Sequence, residues 1–221
     1  MGVKTAVLIS GRGSNLKALI DAAQGNPGYP AEIACVISNK PDAPGLFMAR
    51  KAGIHAIGLN HRDYKDRKAF EDAIQALLEK YECELVVLAG FMRLLTPEFT
   101  ARWYGKMINI HPSLLPSFKG AYAHRDALAS GVCISGCTVH FVSPEMDAGP
   151  IILQAAVPVL EEDTESSLAA RVLVQEHRCL PYALKLLAEG RLHIKGMKVE
   201  INPATVHTAP PALLNPPLEM E

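Results

Sequence analysis

Short apolar runs alternate with amphipathic segments along the first half of the chain. The apolar runs predict buried strands over residues 3–9, 33–38, 85–89 and 106–110. The amphipathic segments predict helices over residues 16–23, 45–52, 68–81 and 97–104. Strands that are apolar on both faces need cover on both sides. The alternation therefore predicts an α/β fold, a mostly parallel, twisted, Rossmann-like sheet with helices on both faces.

The pattern changes after Pro112. Two β-rich segments, 138–142 and 151–157, are separated by a loop that contains Pro and Gly, which predicts an antiparallel excursion in the C-terminal half. Residues 164–189 have a helical composition, and Pro181 is expected to kink this helix or to start a second one. We predict a single domain over residues 1–200. A Pro-rich tail follows over 201–221, expected to pack weakly or to be disordered.

Composition narrows the class of protein. Lys and Arg total 22 and Asp and Glu total 23, so the net charge of −1 gives no electrostatic footprint for nucleic acid or an anionic membrane. No signal peptide and no apolar stretch of transmembrane length is visible. The five Cys are odd in number and lack zinc-site spacing, which favours reduced thiols in a cytoplasmic protein without a metal. The oligomeric state is left open.

A glycine-rich segment, SGRGSN at residues 10–15, lies between the first predicted strand and the first predicted helix. Glycines allow backbone N–H groups to approach a ligand, and a helix N-terminus adds free donors and the positive end of the helix dipole. The side chains of Ser14 and Asn15 add further donors, so the segment suits a phosphate group. It matches neither a P-loop nor a complete dinucleotide fingerprint, and an ordinary capped turn is the alternative.

Polar residues with catalytic potential lie at the end of one predicted strand and in a later loop. Alternation places Asn109 and His111 on one strand face near its carboxyl end, where an amide can stabilise an oxyanion and an imidazole can handle a proton. Asp147, between a strand and a Gly-Pro pair, could hold an imidazolium. A hydrogen-bonded histidine and a simple turn are the structural alternatives, and His140 fits a packing or supporting role.

The apolar segment 88–97 could line a slot for a flat aromatic ring or pack into the core.

Three separated motifs together resemble one known family. They are NIHPSLLP at residues 109–116, GSN at 13–15 and D-x-G-P-I-I-x-Q at 147–154. In this order and spacing they resemble the phosphoribosylglycinamide formyltransferase family, and the resemblance covers roughly residues 3–195. It implies a Rossmann-like formyltransferase fold, 10-formyltetrahydrofolate as the formyl donor and co-substrate, and glycinamide ribonucleotide as the acceptor, with no metal.

The same resemblance implies roles for individual residues. Its catalytic group comprises Asn109, His111 and Asp147, and its substrate-binding group comprises Gly13, Ser14, Asn15 and Glu176. Its folate-binding group comprises Arg67, Met92, Arg93, Leu94, Leu95, Asn109 and Val142. One departure is Tyr122, which stands where the family often has a histidine, and His124 follows two residues later.

Three other functions compete with this interpretation. A formyltetrahydrofolate hydrolase, or a formyltransferase with another acceptor, would use the same chemistry. A non-catalytic phosphate-sensing module would explain the glycine-rich segment but not Asn109, His111 and Asp147. A dehydrogenase is disfavoured because Ser38 and Asn39 stand where a ribose-binding acid is expected.

Overall fold

A single nine-stranded sheet organises the part of the chain that the structure, a computed structural model, describes: residues 2–203 and Leu213. The strand order is β3-β2-β1-β4-β5-β6-β7-β9-β8. The first five strands in chain order are mutually parallel, and β6 adds to β5 in antiparallel orientation. The strands are β1 Val3–Ile9, β2 Ala31–Ser38, β3 His55–Gly58, β4 Leu85–Leu88, β5 Met107–His111, β6 Ile134–Phe141, β7 Ile151–Pro158, β8 Leu192–Lys195 and β9 Lys198–Ile201.

Six α-helices connect these strands within the described residues. They are α1 Ser14–Gly25, α2 Pro44–Lys51, α3 Arg67–Lys80, α4 Pro97–Arg102, α5 Ala123–Ala129 and α6 Glu165–Ala188. Side chains cap three of them: Asp66 caps α3, Thr96 caps α4, and Thr164 forms a capping box with Ser167 at the start of α6.

The central strands bury side chains on both faces, as the apolar runs predict. In β1, Val7 and Ile9 point into one core with α1, α2 and α6, while Ala6 and Leu8 point into a second core with α3 and α4. Alternation along a strand sends neighbouring residues to opposite faces, so a strand apolar at every position needs both layers. The predicted parallel sheet with helices on both faces is confirmed.

The C-terminal half departs from the parallel pattern, also as predicted. Strands β5, β6 and β7 are antiparallel neighbours. Gly136 in β6 lets β6 and β7 approach closely. A side-chain Cβ at this position would lie 1.9 Å from the carbonyl oxygen of Ala155. The hairpin of β8 and β9 and the short strand β3 had no sequence prediction.

One of the two alternatives expected at Pro181 is excluded. Helix α6 continues through Pro181 as a single element of 24 residues, so the proline does not start a second helix. Pro181 is buried, and its carbonyl oxygen accepts a hydrogen bond of 2.6 Å from the Tyr29 hydroxyl. Burial of the apolar face of α6 on both sides of the proline outweighs the loss of one backbone hydrogen bond.

Strand β9 ends at Ile201, and the predicted Pro-rich tail lies outside the described residues apart from its first three positions and Leu213. Within the described part of the chain, no helix combines the length and apolarity that crossing a bilayer requires.

Candidate active site

A groove of about 350 Å³ opens at the carboxyl ends of β4 and β5, between the loops that follow β4 and β6. Asn109, His111 and Asp147 line it together with His140. Its remaining wall is largely apolar and includes Met92, Arg93, Leu94, Leu95 and Val142. The structure therefore brings the three predicted catalytic residues and most of the predicted folate residues into one cavity. Ligands bind at this edge in open α/β sheets.

Asn109 is held by a histidine on the neighbouring strand. The β5–β6 register places Asn109 opposite His140, and the Asn109 Nδ2 atom lies 3.1 Å from His140 Nε2. His140 Nδ1 donates to the carbonyl oxygen of Phe141 at 2.9 Å, so Nε2 is the acceptor for the amide. Burial lowers the pKa of His140, and the neutral ring is the form that can accept. One amide hydrogen of Asn109 thus points at His140 and the other remains for a ligand.

His111 has an oxygen atom at each ring nitrogen. Its Nε2 atom donates to the carbonyl oxygen of Phe118 at 2.8 Å, and its Nδ1 atom lies 3.4 Å from Asp147 Oδ2. The ring is almost fully buried, whereas the Asp147 side chain keeps 12% of its surface exposed. A ring that faces two acceptors satisfies both of them only when both nitrogens carry hydrogen.

Asp147 is positioned by a sharply shaped loop. Its backbone has a φ of 49°, in the left-handed region, and its Oδ2 atom also accepts a hydrogen bond of 2.8 Å from the Gly120 amide. Its Oδ1 atom lies 3.9 Å from His140 Nε2. Two residues later, a Cβ at Gly149 would lie 1.7 Å from the Phe141 carbonyl oxygen. The loop can therefore return against β6 only with glycine at this position.

The segment that follows β5 is fastened to the sheet by polar side chains. The Thr138 hydroxyl donates to the Ser113 carbonyl at 2.7 Å and accepts from the Leu115 amide at 3.0 Å. Gln154 donates to both the Leu115 carbonyl and the Thr138 hydroxyl. These bonds fix the start of the loop that presents Phe118 and Gly120 to His111 and Asp147, which gives the final Gln of the D-x-G-P-I-I-x-Q motif a structural role.

The glycine-rich segment forms the entry to α1. Gly13 has a φ of 80° and precedes the helix without a side-chain cap, so the first N–H groups of α1 have no side-chain acceptor at this position. A Cβ on Gly13 would also lie 3.0 Å from the Cα atom of Gly45 in α2. Both the backbone angle and the close packing therefore require glycine. The arrangement suits an anion at the helix N-terminus.

Asn15 and Glu176 are paired, which sequence reasoning did not predict. Asn15 Nδ2 donates to Glu176 Oε2 at 2.7 Å, and both residues are buried. The Asn15 amide therefore serves a carboxylate, and its Oδ1 atom is buried without a partner among the described residues. Burial raises the pKa of Glu176, while Asn15 and the nearby His111 lower it in part. The pair thus lies between the α1 entry and His111.

Five predicted residues do not line the groove: Gly13, Ser14, Asn15 and Glu176 lie on the α1–α6 side, and Arg67 is the exposed first residue of α3. Met92 and Leu94 are more than half exposed at the groove mouth.

In the part of the chain that is described, no cluster of three or more His, Cys, Asp or Glu side chains could hold a metal ion.

The sequence prediction missed the backbone groups of Phe118 and Gly120. Phe118 has a φ of 54°, and a left-handed conformation at a phenylalanine has no sequence signal.

Comparison with known proteins identifies the family of this chain. Residues 3–184 match the model of the formyl transferase family. The chain belongs to the formyl transferase family. The human trifunctional purine biosynthetic protein adenosine-3 is 52% identical over 191 residues, which cover 86% of this chain and 19% of that protein. The chain thus spans about a fifth of that relative's length.

Shorter relatives of the formyl transferase family match along most of their length. Phosphoribosylglycinamide formyltransferase of Escherichia coli (strain K12) is 46% identical over 186 residues, covering 84% of this chain and 87% of that protein. The crystal structure of glycinamide ribonucleotide transformylase 1 from Symbiobacterium toebii superimposes with a TM-score of 0.88 at 48% identity, covering 90% of this chain and 94% of that one. The predicted resemblance and Rossmann-like formyltransferase fold are confirmed.

Proposed function

We propose that the chain transfers the formyl group of 10-formyltetrahydrofolate to the amine of glycinamide ribonucleotide, giving formylglycinamide ribonucleotide and tetrahydrofolate. The observation that supports this most directly is the single groove in which Asn109, His111 and Asp147 meet an apolar wall. Relatives named for this reaction, matched over most of their length, support the same substrates.

The groove fits a folate in size and polarity. Its volume is in the range of small-molecule sites, and its wall between segments 91–95 and 142–146 is mostly apolar, as a flat ring system requires. The polar groups lie together at the β5 end, so a formyl group carried on the ring system would reach Asn109 and His111. We expect Arg93, which lines the groove, to act on the folate side with Met92, Leu94, Leu95 and Val142. Arg67 has a weaker case because it lies outside the lining.

Asn109 is proposed to donate to the oxygen of the formyl group as negative charge develops on it. His140 holds one hydrogen of the amide, so the second is presented in a fixed direction before the substrate binds. A donor that needs no reorganisation during the reaction stabilises the transition state most effectively.

His111 and Asp147 are proposed to act together at the same oxygen and at the transferred proton. Attack by the acceptor amine forms the new C–N bond, the bond from carbon to the folate nitrogen breaks, and a proton passes from the amine to that nitrogen. Asp147 holds the imidazole in orientation through its contact with Nδ1.

The acceptor is proposed to lie on the α1–α6 side of the site. Its phosphate would face the uncapped N-terminus of α1 at Gly13 and Ser14. Glu176, positioned by Asn15 and close to His111, would contact the glycinamide part. This places the amine between the helix N-terminus and the groove, where the formyl group is expected.

Product analysis with and without the acceptor tests this function. We expect tetrahydrofolate to form only when glycinamide ribonucleotide is present, with one formylated acceptor for each folate consumed. Free formate produced at full rate without acceptor would identify a hydrolase instead. Binding of both ligands without any turnover would favour a sensing module. A cytoplasmic location and the lack of a nucleic-acid partner stay predictions.

A further inference from the structure

Two cysteines from distant parts of the chain meet on the face of the sheet that packs against α3, away from the proposed active site. Cys35 lies in β2, and Cys83 lies two residues before β4. Their Sγ atoms are 3.8 Å apart, within contact distance for two sulfur atoms. Because β4 begins just after Cys83, this contact is at the opposite end of β4 from the groove, which opens beyond Leu88. The proposed reaction does not use either thiol.

The two thiols differ in access and in acidity. Cys35 is fully buried, whereas Cys83 is partly exposed at the rim of the α3 core. The hydrogen bond from Cys35 lowers the pKa of Cys83, and the ammonium group of Lys4 lowers it further, while partial burial opposes both effects. The pKa of Cys35 is raised, first by its contact with Cys83 and then by burial. Cys83 is therefore the thiol that ionises first and the one that a reagent can reach.

We propose that Cys83 is a modification site for small disulfides of the glutathione class, and that Cys35 converts the adduct into an internal disulfide. In the first step the Cys83 thiolate attacks one sulfur of the small disulfide, which forms a mixed disulfide and releases one small thiolate. In the second step Cys35 gives its proton to the departing small thiolate as its sulfur attacks the Cys83 sulfur and displaces the second small thiol. The small disulfide is reduced to two thiols, and the protein loses two hydrogens.

The second step needs the two sulfur atoms to come closer. A disulfide needs a sulfur–sulfur distance of about 2.05 Å, so the two sulfur atoms must approach by roughly 1.8 Å from their present contact. Cys83 lies in the short turn between α3 and β4, outside the residues that pair β4 with β1. The bond would join segments that flank β1, because the strand order is β2-β1-β4.

A second thiol pair serves as an internal comparison. The thiols of Cys137 in β6 and Cys179 in α6 also lie near enough to interact, but both are buried. Contact between thiols is therefore not sufficient for the proposed reaction, because a small disulfide needs access to one of them. We expect the Cys137–Cys179 pair to remain reduced in the folded protein.

The experiment exposes the fully reduced, folded chain to glutathione disulfide, blocks remaining thiols with an alkylating reagent, and maps disulfides by mass spectrometry without reduction. We expect a Cys35–Cys83 cross-link that forms through a transient glutathione adduct on Cys83 and is reversed by dithiothreitol. The Cys35→Ser variant should stop at the mixed disulfide on Cys83. The Cys83→Ser variant should form neither product at this site.

Cys133→Ser is the matched control, because Cys133 is exposed and lies elsewhere in the chain. This variant should form the Cys35–Cys83 bond at the rate of the unchanged chain. The proposal is overturned if Cys83 stays reduced, if its glutathione adduct accumulates unresolved in the unchanged chain, or if the cross-link joins Cys137 and Cys179 instead. The unchanged chain decides these outcomes even if the Cys35→Ser variant fails to fold.

Discussion

Asn109 has two amide hydrogens with different surroundings. One is directed at His140 Nε2, and the other is available to the groove, where we expect an oxyanion to develop. Replacing Asn109 with Ala removes a donor that acts mainly in the transition state. We therefore expect kcat and kcat/KM to fall together, by about 10²–10³, in steady-state assays. A large rise in KM with unchanged kcat would show instead that Asn109 only binds substrate.

His140 contributes through Asn109. The His140→Ala variant should lose about ten- to a hundred-fold in kcat, because an unrestrained amide no longer points at the formyl oxygen. The His140→Gln variant can offer a side-chain oxygen to the same amide and should recover part of the loss. In an Asn109→Ala background, His140→Ala should cost almost nothing more. Independent, additive losses would contradict this positioning role.

For individual residues, the sequence predicted the side chains of the proposed site but not the backbone groups that bond to them. The alternation of Asn109 and His111 along one strand predicts their common face, and the resemblance supplies Asp147 as a partner. The carbonyl of Phe118 and the amide of Gly120 complete the pair, yet they depend on a left-handed backbone at Phe118. Since phenylalanine has no preference for that conformation, no residue pattern predicts it.

The loop after β6 depends on a glycine that the strand leaves no room to replace. In a Gly149→Ala variant the new Cβ would overlap the Phe141 carbonyl, so the loop must shift or the strand end must open. We expect the free energy of unfolding to drop by roughly 2–4 kcal/mol, measured by urea denaturation.

Gly25→Ala is the control for that measurement. Gly25 is the last residue of α1, and a Cβ there meets nothing within 4 Å. This variant should keep or slightly raise stability, since alanine favours the helix. Equal stability of the two variants would show that the loop tolerates the displacement.

Helices and strands were predictable where burial is periodic and not where tertiary contacts decide. The period of residues 68–81 marks α3 to within a residue at each end. At Pro181 the sequence left a kink and a second helix as alternatives, and the burial of α6 on both sides of the proline holds one continuous helix. The hairpin of β8 and β9 was missed although LHIK and KVEI alternate apolar and polar residues, because each strand is only four residues long.

For the whole molecule, Glu176 links the two halves of the proposed site at a cost in stability. Burial raises its pKa, so the folded chain favours the protonated carboxyl more than the unfolded chain does. Stability from this group is present below the ordinary pKa of about 4.5 and is lost as pH rises through the higher folded value. A Glu176→Gln variant avoids that loss. Its advantage in the free energy of unfolding should therefore grow from pH 4 toward pH 7.

Two readouts check this prediction. The exposed Glu161→Gln variant should show no such growing advantage in denaturation experiments over the same pH range. The Glu176→Gln enzyme should also need more glycinamide ribonucleotide for half-maximal rate, because the proposed acceptor contact is weakened. A stability difference that shrinks as pH rises would mean that the buried carboxylate is favoured in the fold.

The overall architecture was accessible from the sequence because each parallel strand is apolar at nearly every position. That pattern predicts a covered sheet, and the rule that ligands bind at the carboxyl ends of its strands predicts one shared edge for the loops. The Asn15–Glu176 pair was not accessible, because its partners are 161 residues apart and meet only when α6 packs on α1.

The most direct test of the central claim is the kcat of the Asp147→Asn variant with saturating folate and acceptor, measured across pH. Asparagine keeps the side-chain size and an oxygen for the Gly120 amide but removes the charge beside His111. We predict a fall in kcat of at least about 10², with a displaced pH profile, in a protein that remains folded. A variant with nearly unchanged kcat and pH profile would contradict the proposed catalytic group.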